Sequence, residues 1–254
     1  MTMRTLAFGD DGSPAADVAW LQINCHAWPA WRVEVVHVEN ATLPINYVDL
    51  HEWDPAEPRT VFSEAKFAEV AHLTAKGDAR IVLSRACDLL VIGPRGPGLL
   101  KALHLGSTAE WLLTRPPAPI LIARHGRPIT TVLLCVDGSV HANRVTGVLC
   151  TLPWVEQLQV TVLAVDDERV DVEAATQTAA QQLEAAGADV SIRVHSGIPT
   201  PEIKNAVDRL SPDLVALGTR GLTGLRHLQV GSTASAIART ATSSVLVACE
   251  SDAQ

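Results

Sequence analysis

The chain is 254 residues long, 47% hydrophobic and 19% charged, with a formal net charge of −8 at pH 7. That length suits one large domain or two of ordinary size, and the apolar content excludes disorder as the dominant state. There is no apolar run of about 18 residues to mark a membrane span, and Met1–Arg4 leads straight into a strand-like segment rather than a signal peptide. Net acidity argues against nucleic acid as the main partner, since phosphate contacts need a basic face. The expectation is a cytoplasmic protein.

In chain order, Leu6–Phe8 reads as a first strand, and Ser13-Pro14 as a helix N-cap followed by proline at the first helical position. Val33–Val38 is a second strand. Asn40 to Arg59 carries Pro44, Pro55 and Pro58 with scattered aromatics and reads as a long loop, either a surface insertion or a lid. Val70–Thr74 is a third strand, and the helix after it is shorter by about a turn than its later counterpart. Leu89–Ile92 and Ile120–Ala123 are the fourth and fifth strands. His125-Gly126-Arg127-Pro128 reads as a short linker.

After the linker the pattern begins again. Val132–Val136 is a continuous apolar run suited to a strand covered on both faces, and Ser139 caps the helix that follows. Strands at Val160–Val165, Val190–Val194, Leu214–Leu217 and Val245–Ala248 alternate with helices at Asp171–Ala186, Glu202–Leu210 and Ser232–Arg239. Such alternation means a parallel sheet with helices on both faces.

The two halves are one unit written twice. Asp11-Gly12-Ser13 recurs as Asp137-Gly138-Ser139, 126 residues on, and Gly106-Ser107-Thr108-Ala109 recurs as Gly231-Ser232-Thr233-Ala234, 125 residues on. Asp88–Gly93 matches Asp213–Gly218, and Arg95-Gly96 matches Arg220-Gly221. These matches predict two homologous domains, 1–127 and 128–254. The last strands, Ile120–Ala123 and Val245–Ala248, are expected to meet, because each would otherwise be a bare apolar edge.

The glycines carry the chemistry. Gly93 and Gly96, then Gly106-Ser107, follow the fourth strand with the spacing repeated by Gly218, Gly221 and Gly231-Ser232. Open parallel sheets bind ligands at the carboxyl ends of their strands, and free N–H groups at a helix start favour an anion. Glycine there lets backbone approach phosphate and allows positive φ. The bland alternative is an ordinary helix cap, and Asp11 and Asp137 equally suit a turn.

The G-x2-G-x9-G-[ST] pattern, joined to an Asp after strand one, resembles the universal stress protein family in its ATP-binding branch. The likeness covers both halves. It implies two Rossmann-like α/β domains, each a five-stranded parallel sheet of order 3-2-1-4-5, related by pseudo-twofold symmetry as an intramolecular pseudo-dimer, with a further homodimer left open. It also implies an adenine nucleotide as ligand, ATP with or without Mg, with AMP or a cyclic nucleotide also open. Carried over, Asp11 and Asp137 would contact the nucleoside, and the backbone of Val38 and Val165 would meet the adenine edge. Gly93 and Gly218 would lie beside the ribose. Gly96, Gly106, Ser107 and Thr108, with Gly221, Gly231, Ser232 and Thr233, would cradle the phosphates. Lys101, Arg226, Arg95 and Arg220 read either as phosphate partners or as solvated charges.

The resemblance implies a stress-response regulator that binds nucleotide, at most a slow ATPase. Two other classes stay open: an adenylate-forming or nucleotide-transferring enzyme on a related scaffold, and a nucleotide-free interaction module. No G-x4-G-K-[ST] loop occurs. Five scattered Cys and nine His form no C-x-x-C, H-E-x-x-H or i, i+4 pair, which leaves no sequence-local metal site. Pro94 and Pro97 lack N–H groups, Asp10 adds a negative charge, and Thr219 adds a hydroxyl in the second copy. Together they predict the weaker site in the first half.

Overall fold

Each half begins on the same device, an apolar strand that runs into Asp-Gly-Ser. In the computed structural model, which describes residues 3–39, 49–55, 57–96, 105–114, 116–166, 172–219 and 231–248, the first strand is β1 (Arg4–Asp10). Gly12 takes φ of 69° to reverse the chain. Ser13 then accepts a bond from Ala16 N–H at 3.2 Å and starts α1 (Pro14–Asn24). The later copy repeats this with β7 (Thr131–Val136), Gly138 at φ 77°, and Ser139 capping α4 (Val140–Cys150) through Ala142 at 3.2 Å.

The chain divides into two compact units whose main boundary falls between Arg127 and Pro128. Unit 1 continues with β2 (Trp31–Glu39), β3 (Asp49–Glu52), β4 (Glu69–Lys76), α2 (Ala79–Val82), β5 (Leu89–Ile92), α3 (Ser107–Thr114) and β6 (Ile120–Ile122). Unit 2 continues with β8 (Gln159–Asp166), α5 (Val172–Ala185), β9 (Asp189–Ser196), α6 (Pro199–Leu210), β10 (Leu214–Gly218), α7 (Ser232–Thr240) and β11 (Ser244–Ala248).

In unit 2 the five strands are all parallel, in the order β9-β8-β7-β10-β11. Unit 1 has the matching parallel order β4-β2-β1-β5-β6. The inner strands are apolar along their length because helices cover both faces: β5 is buried throughout and β10 from Leu214 to Leu217. The linker side of unit 1 is tied down by the buried Gln22 of α1, whose Nε2 lies 3.0 Å from His125 Nδ1. Gly126 passes so close to α1 that a Cβ there would meet Leu21 Cβ at 2.9 Å.

Unit 1 departs from the expected five strands. Within the segment read as one loop, Asp49–Glu52 forms β3, a sixth strand lying antiparallel on β4. Its sequence, DLHE, has little intrinsic strand preference, and pairing with an exposed edge supplies what propensity does not. Residues 40–48 and 56 of that loop, on which the lid reading falls, lie outside the described residues, while the chain that follows is anchored to the core. Trp20 Nε1 donates to Thr60 O at 2.7 Å, Phe62 N–H to Asn24 Oδ1 at 2.8 Å, and Trp28 N–H to Ala65 O at 2.7 Å. That segment therefore covers the α1 side of the core. It brings Phe67 to the Trp20 and Trp28 rings, both at 6.4 Å, where unit 2 packs α5 instead. The helix before β5 is also much shorter than expected, a single turn against the long α6.

The expectation of small buried apolar cysteines holds for Cys135; Cys25, Cys87 and Cys150 are half-buried, and Cys249 lies outside the described residues. Burial pushes the Cys87 thiol up to about 11 and that of Cys135 up to about 12, so neither is reactive at neutral pH. Among the described residues, no helix is long and apolar enough to cross a membrane.

Candidate functional site

At the carboxyl ends of the first and fourth strands, the two motif segments of each unit converge. In unit 1, Asp11 accepts from Ser13 N–H at 3.0 Å, which fixes the turn after β1. Its other oxygen lies against the glycine loop, such that a Cβ on Gly96 would meet Asp11 Oδ2 at 2.6 Å. Ser13 Oγ donates to Arg95 O at 3.4 Å and closes the same contact. Gly106 N–H then donates to Pro94 O at 2.8 Å, which folds the start of α3 back onto the end of β5.

The described residues of unit 2 repeat two of these bonds. Asp137 accepts from Ser139 N–H at 3.0 Å, and Gly231 N–H donates to Thr219 O at 2.7 Å. Gly231 is the N-cap of α7 and provides no side-chain cap, which leaves the first-turn N–H groups directed out of the helix start. Ser232 and Thr233 stand in that first turn, and Thr233 Oγ1 lies 2.8 Å from Thr200 Oγ1 of α6. Val38 and Val165 are near the ends of β2 and β8, each half-buried. Ser107 and Thr108 open α3 as Ser232 and Thr233 open α7. Gly221, Pro97, Lys101, Arg220 and Arg226 lie outside the described residues.

The glycines do different jobs. Gly93 and Gly218 are required by the fold itself. A Cβ on Gly93 would stand 2.9 Å from the Ala15 carbonyl, and one on Gly218 would stand 2.8 Å from His141 backbone. Both let the fourth strand touch the helix after the first. Gly106 differs, because a Cβ there would meet nothing closer than Arg95 Cα at 3.4 Å, an ordinary contact. The expectation of positive φ is not met: among the described glycines only Gly12, Gly77, Gly138, Gly187 and Gly197 have it. Gly231, for instance, is extended at φ −68° and ψ 152°. Close approach, not left-handed backbone, explains Gly93 and Gly218.

The structure also removes most grounds for a weaker first site. Asp10 is not an uncompensated charge: Arg59 donates to it through Nε at 2.7 Å and Nη2 at 2.5 Å, and reaches Asp17 through Nη1 at 2.5 Å. Burial raises the Asp10 carboxyl, but the bonds from Arg59 and Gly12 outweigh it and hold it below the usual carboxylate range. The same contacts push the Arg59 guanidinium further up. At the other position, Thr219 N–H donates to Ala248 O at 2.9 Å, so Pro94 in its place removes a sheet bond rather than a ligand donor. The Thr219 hydroxyl is fully buried, 3.4 Å from His141 Nδ1.

Arg59 and its partners were not found from the sequence. The doubled Asp10-Asp11 was the available signal, since unit 2 has Val136 where unit 1 has Asp10. Among the described residues no cluster of three or more His, Cys, Asp or Glu is arranged for a metal. A surface groove of about 280 Å³ does exist in unit 2, but Thr131, Gln159 and Asp189 place it at the amino ends of the strands, opposite the motif.

Comparison with known proteins bears on the family and the fold. The universal stress protein family model matches twice, over residues 3–124 and 128–248. A universal stress protein from Synechocystis is 28% identical over 156 residues. That match covers 60% of this chain and 54% of the relative, so the chain spans about half the length of the curated relative it matches. Among solved structures, a universal stress protein from Archaeoglobus fulgidus superposes with a TM-score of 0.66 at 17% identity, covering 98% of this chain and 99% of that one. A universal stress protein crystallised with cAMP is 23% identical over 48% of this chain and 97% of its own, with a TM-score of 0.40.

Proposed function

Because the chain belongs to the universal stress protein family, we propose that each of its two units binds an adenine nucleotide, ATP in the first instance, and that occupancy is the signal it carries in a stress response. The observation that carries this reading is Gly106. Neither packing nor backbone conformation of the chain demands glycine there, yet it opens a helix directly beside Asp11 and Gly96. A missing Cβ at a helix N-terminus suits close approach of a phosphate to backbone N–H groups.

In this reading the first-turn N–H groups and hydroxyls of Ser107 and Thr108, and of Ser232 and Thr233, hold phosphate oxygens. Gly96 and Gly221 let the loop close over them. Asp11 and Asp137, already fixed by their own turns, present a carboxylate oxygen to ribose hydroxyls. Backbone groups of Val38 and Val165 meet the adenine edge. The second reading, a nucleotide-free module, gains support from Gly93 and Gly218, which the fold needs for its own packing. Gly106 is what that reading leaves unexplained.

Native mass spectrometry of the purified chain tests the proposal. We expect adducts of adenine-nucleotide mass, retained or restored on adding ATP, AMP or cAMP in turn. A bare chain mass with all three would overturn it.

A further inference from the structure

Among the described residues, β9 is an open edge of unit 2. β9 is in register with β8 from Asp189 to Ser196 without a bulge. Asp189 N–H donates to Leu158 O at 2.9 Å and Gly197 N–H to Asp166 O at 3.1 Å, so the odd-numbered residues face β8. The N–H and C=O groups of Val190, Ile192 and Val194 therefore point away from it. Among the described residues, no strand pairs with that side. Natural edges are defended by proline, lysine, a bulge or a covering segment. β9, DVSIRVHS, has no proline, lysine or bulge, and it leaves Ile192 39% and Val194 40% exposed.

Unit 1 shows what this position in the fold accepts. There the equivalent edge, β4, is covered by antiparallel β3, with Leu50 opposite Ala75 and His51 opposite Thr74. Unit 2 has no such strand of its own among the described residues. We infer that the free edge of β9 pairs antiparallel with β9 of a second copy of this chain, about a twofold axis at Ser191.

The sequence of the strand selects both the occupant and the register. With the axis at Ser191, Asp189 stands opposite Arg193 of the partner subunit, and Arg193 opposite the partner's Asp189. On the other face, Val190 meets the partner's Ile192. Opposite charges and apolar pairs directly across an antiparallel ladder stabilise it, and like charges oppose it. Neither Asp189 nor Arg193 is engaged in another ion pair among the described residues. An axis at Arg193 would set two guanidinium groups against each other, and one at Ile192 would leave Arg193 facing serine. An edge this short covers less than the roughly 1,600 Å² of a standard interface, so the pair is weak and concentration-dependent.

Sedimentation velocity on the full chain, from micromolar to millimolar concentration, tests this. The wild type should dimerise reversibly. Arg193→Asp and Asp189→Arg should each weaken the dimer about tenfold or more, because two opposite-charge pairs become like-charge pairs. The double variant Asp189→Arg/Arg193→Asp should restore it. Ser191→Cys should cross-link to the partner's equivalent thiol under oxidation, since residues at a non-hydrogen-bonded antiparallel position approach to about 4.5 Å between Cα atoms. These residues are on the surface, and far-ultraviolet dichroism will show each variant folded. A wild type that stays monomeric, a dimer indifferent to either charge reversal, or a dimer that Ser191→Cys does not cross-link would overturn the inference.

Discussion

Replacing Arg59 with alanine should destabilise unit 1 by about 2–3 kcal/mol at neutral pH. Arg59 makes two bonds to Asp10 and one to Asp17. Asp17 is 56% exposed, so its pair is screened and contributes little. Asp10 is 14% exposed and Arg59 20%, close to burial. Breaking a fully buried pair costs about 3–5 kcal/mol because a charge is left uncompensated, and the residual exposure here lowers that figure. The pH dependence has a definite sign. The Asp10 carboxyl is held below its ordinary value in the folded chain, so its stabilisation is present above the unfolded value of about 3.9 and is lost as pH falls through the folded one. In Arg59→Ala, burial of Asp10 is opposed only by the Gly12 N–H bond and by His37, so its pKa rises from the wild-type folded value and protonation costs the variant less than the wild type. Urea unfolding followed by tryptophan fluorescence should therefore show a large gap at pH 7 that narrows below about pH 4. Asp10→Val with Arg59→Leu, which imitates Val136 of unit 2, should recover most of the loss. A gap that is absent at pH 7, or that widens on acidification, would refute the argument.

Further outcomes follow from the same geometry. Gly93→Ala and Gly218→Ala each press a Cβ against helix backbone at 2.9 and 2.8 Å and should cost about 1–3 kcal/mol in thermal melts. Gly106→Ala, with its nearest contact at 3.4 Å, should melt like the wild type. Ser139→Ala removes the cap of α4 and should cost about 1 kcal/mol by urea denaturation. Asp213 accepts from the N–H and hydroxyl groups of Thr130 and Thr131, which outweigh burial and lower its pKa. Asp213→Asn should thus lower the melting temperature at pH 7 and matter progressively less as pH falls below about 4.

The parallel architecture was legible because its strands are buried on both faces and so are written as apolar runs. β5 and β10 coincide with their predicted segments to within a residue. The caps at Ser13 and Ser139 were legible because proline or a helix-compatible run follows them directly. β3 was not, since DLHE is stabilised by an edge it meets in three dimensions and not by its own composition. The segment replacing a helix in unit 1 was hidden for the same reason: its order comes from Trp20 and Asn24 of α1 and from Trp28 just beyond it.

At the site, the resemblance to the universal stress protein motif joined Asp11 to Gly96 and Gly106, while the repeat gave only their matching offsets. What it could not separate was glycine kept for packing from glycine kept for a ligand, because both appear as the same residue at the same offset. Gly93 and Gly218 belong to the first kind. The charge on Asp10 was visible, but its partner, Arg59, is 49 residues away in a segment of irregular backbone. No periodicity reports such a contact.

The central claim is that the glycine-opened helices α3 and α7 each complete a nucleotide site. Isothermal titration of ATP into the wild type, Gly106→Leu and Gly231→Leu addresses it directly, since each leucine fills the space at one helix start and leaves the other untouched. Two sites are expected in the wild type and one in each variant, with melting temperatures little changed. Two sites in both variants would contradict it, and would mean that the motif serves only the fold.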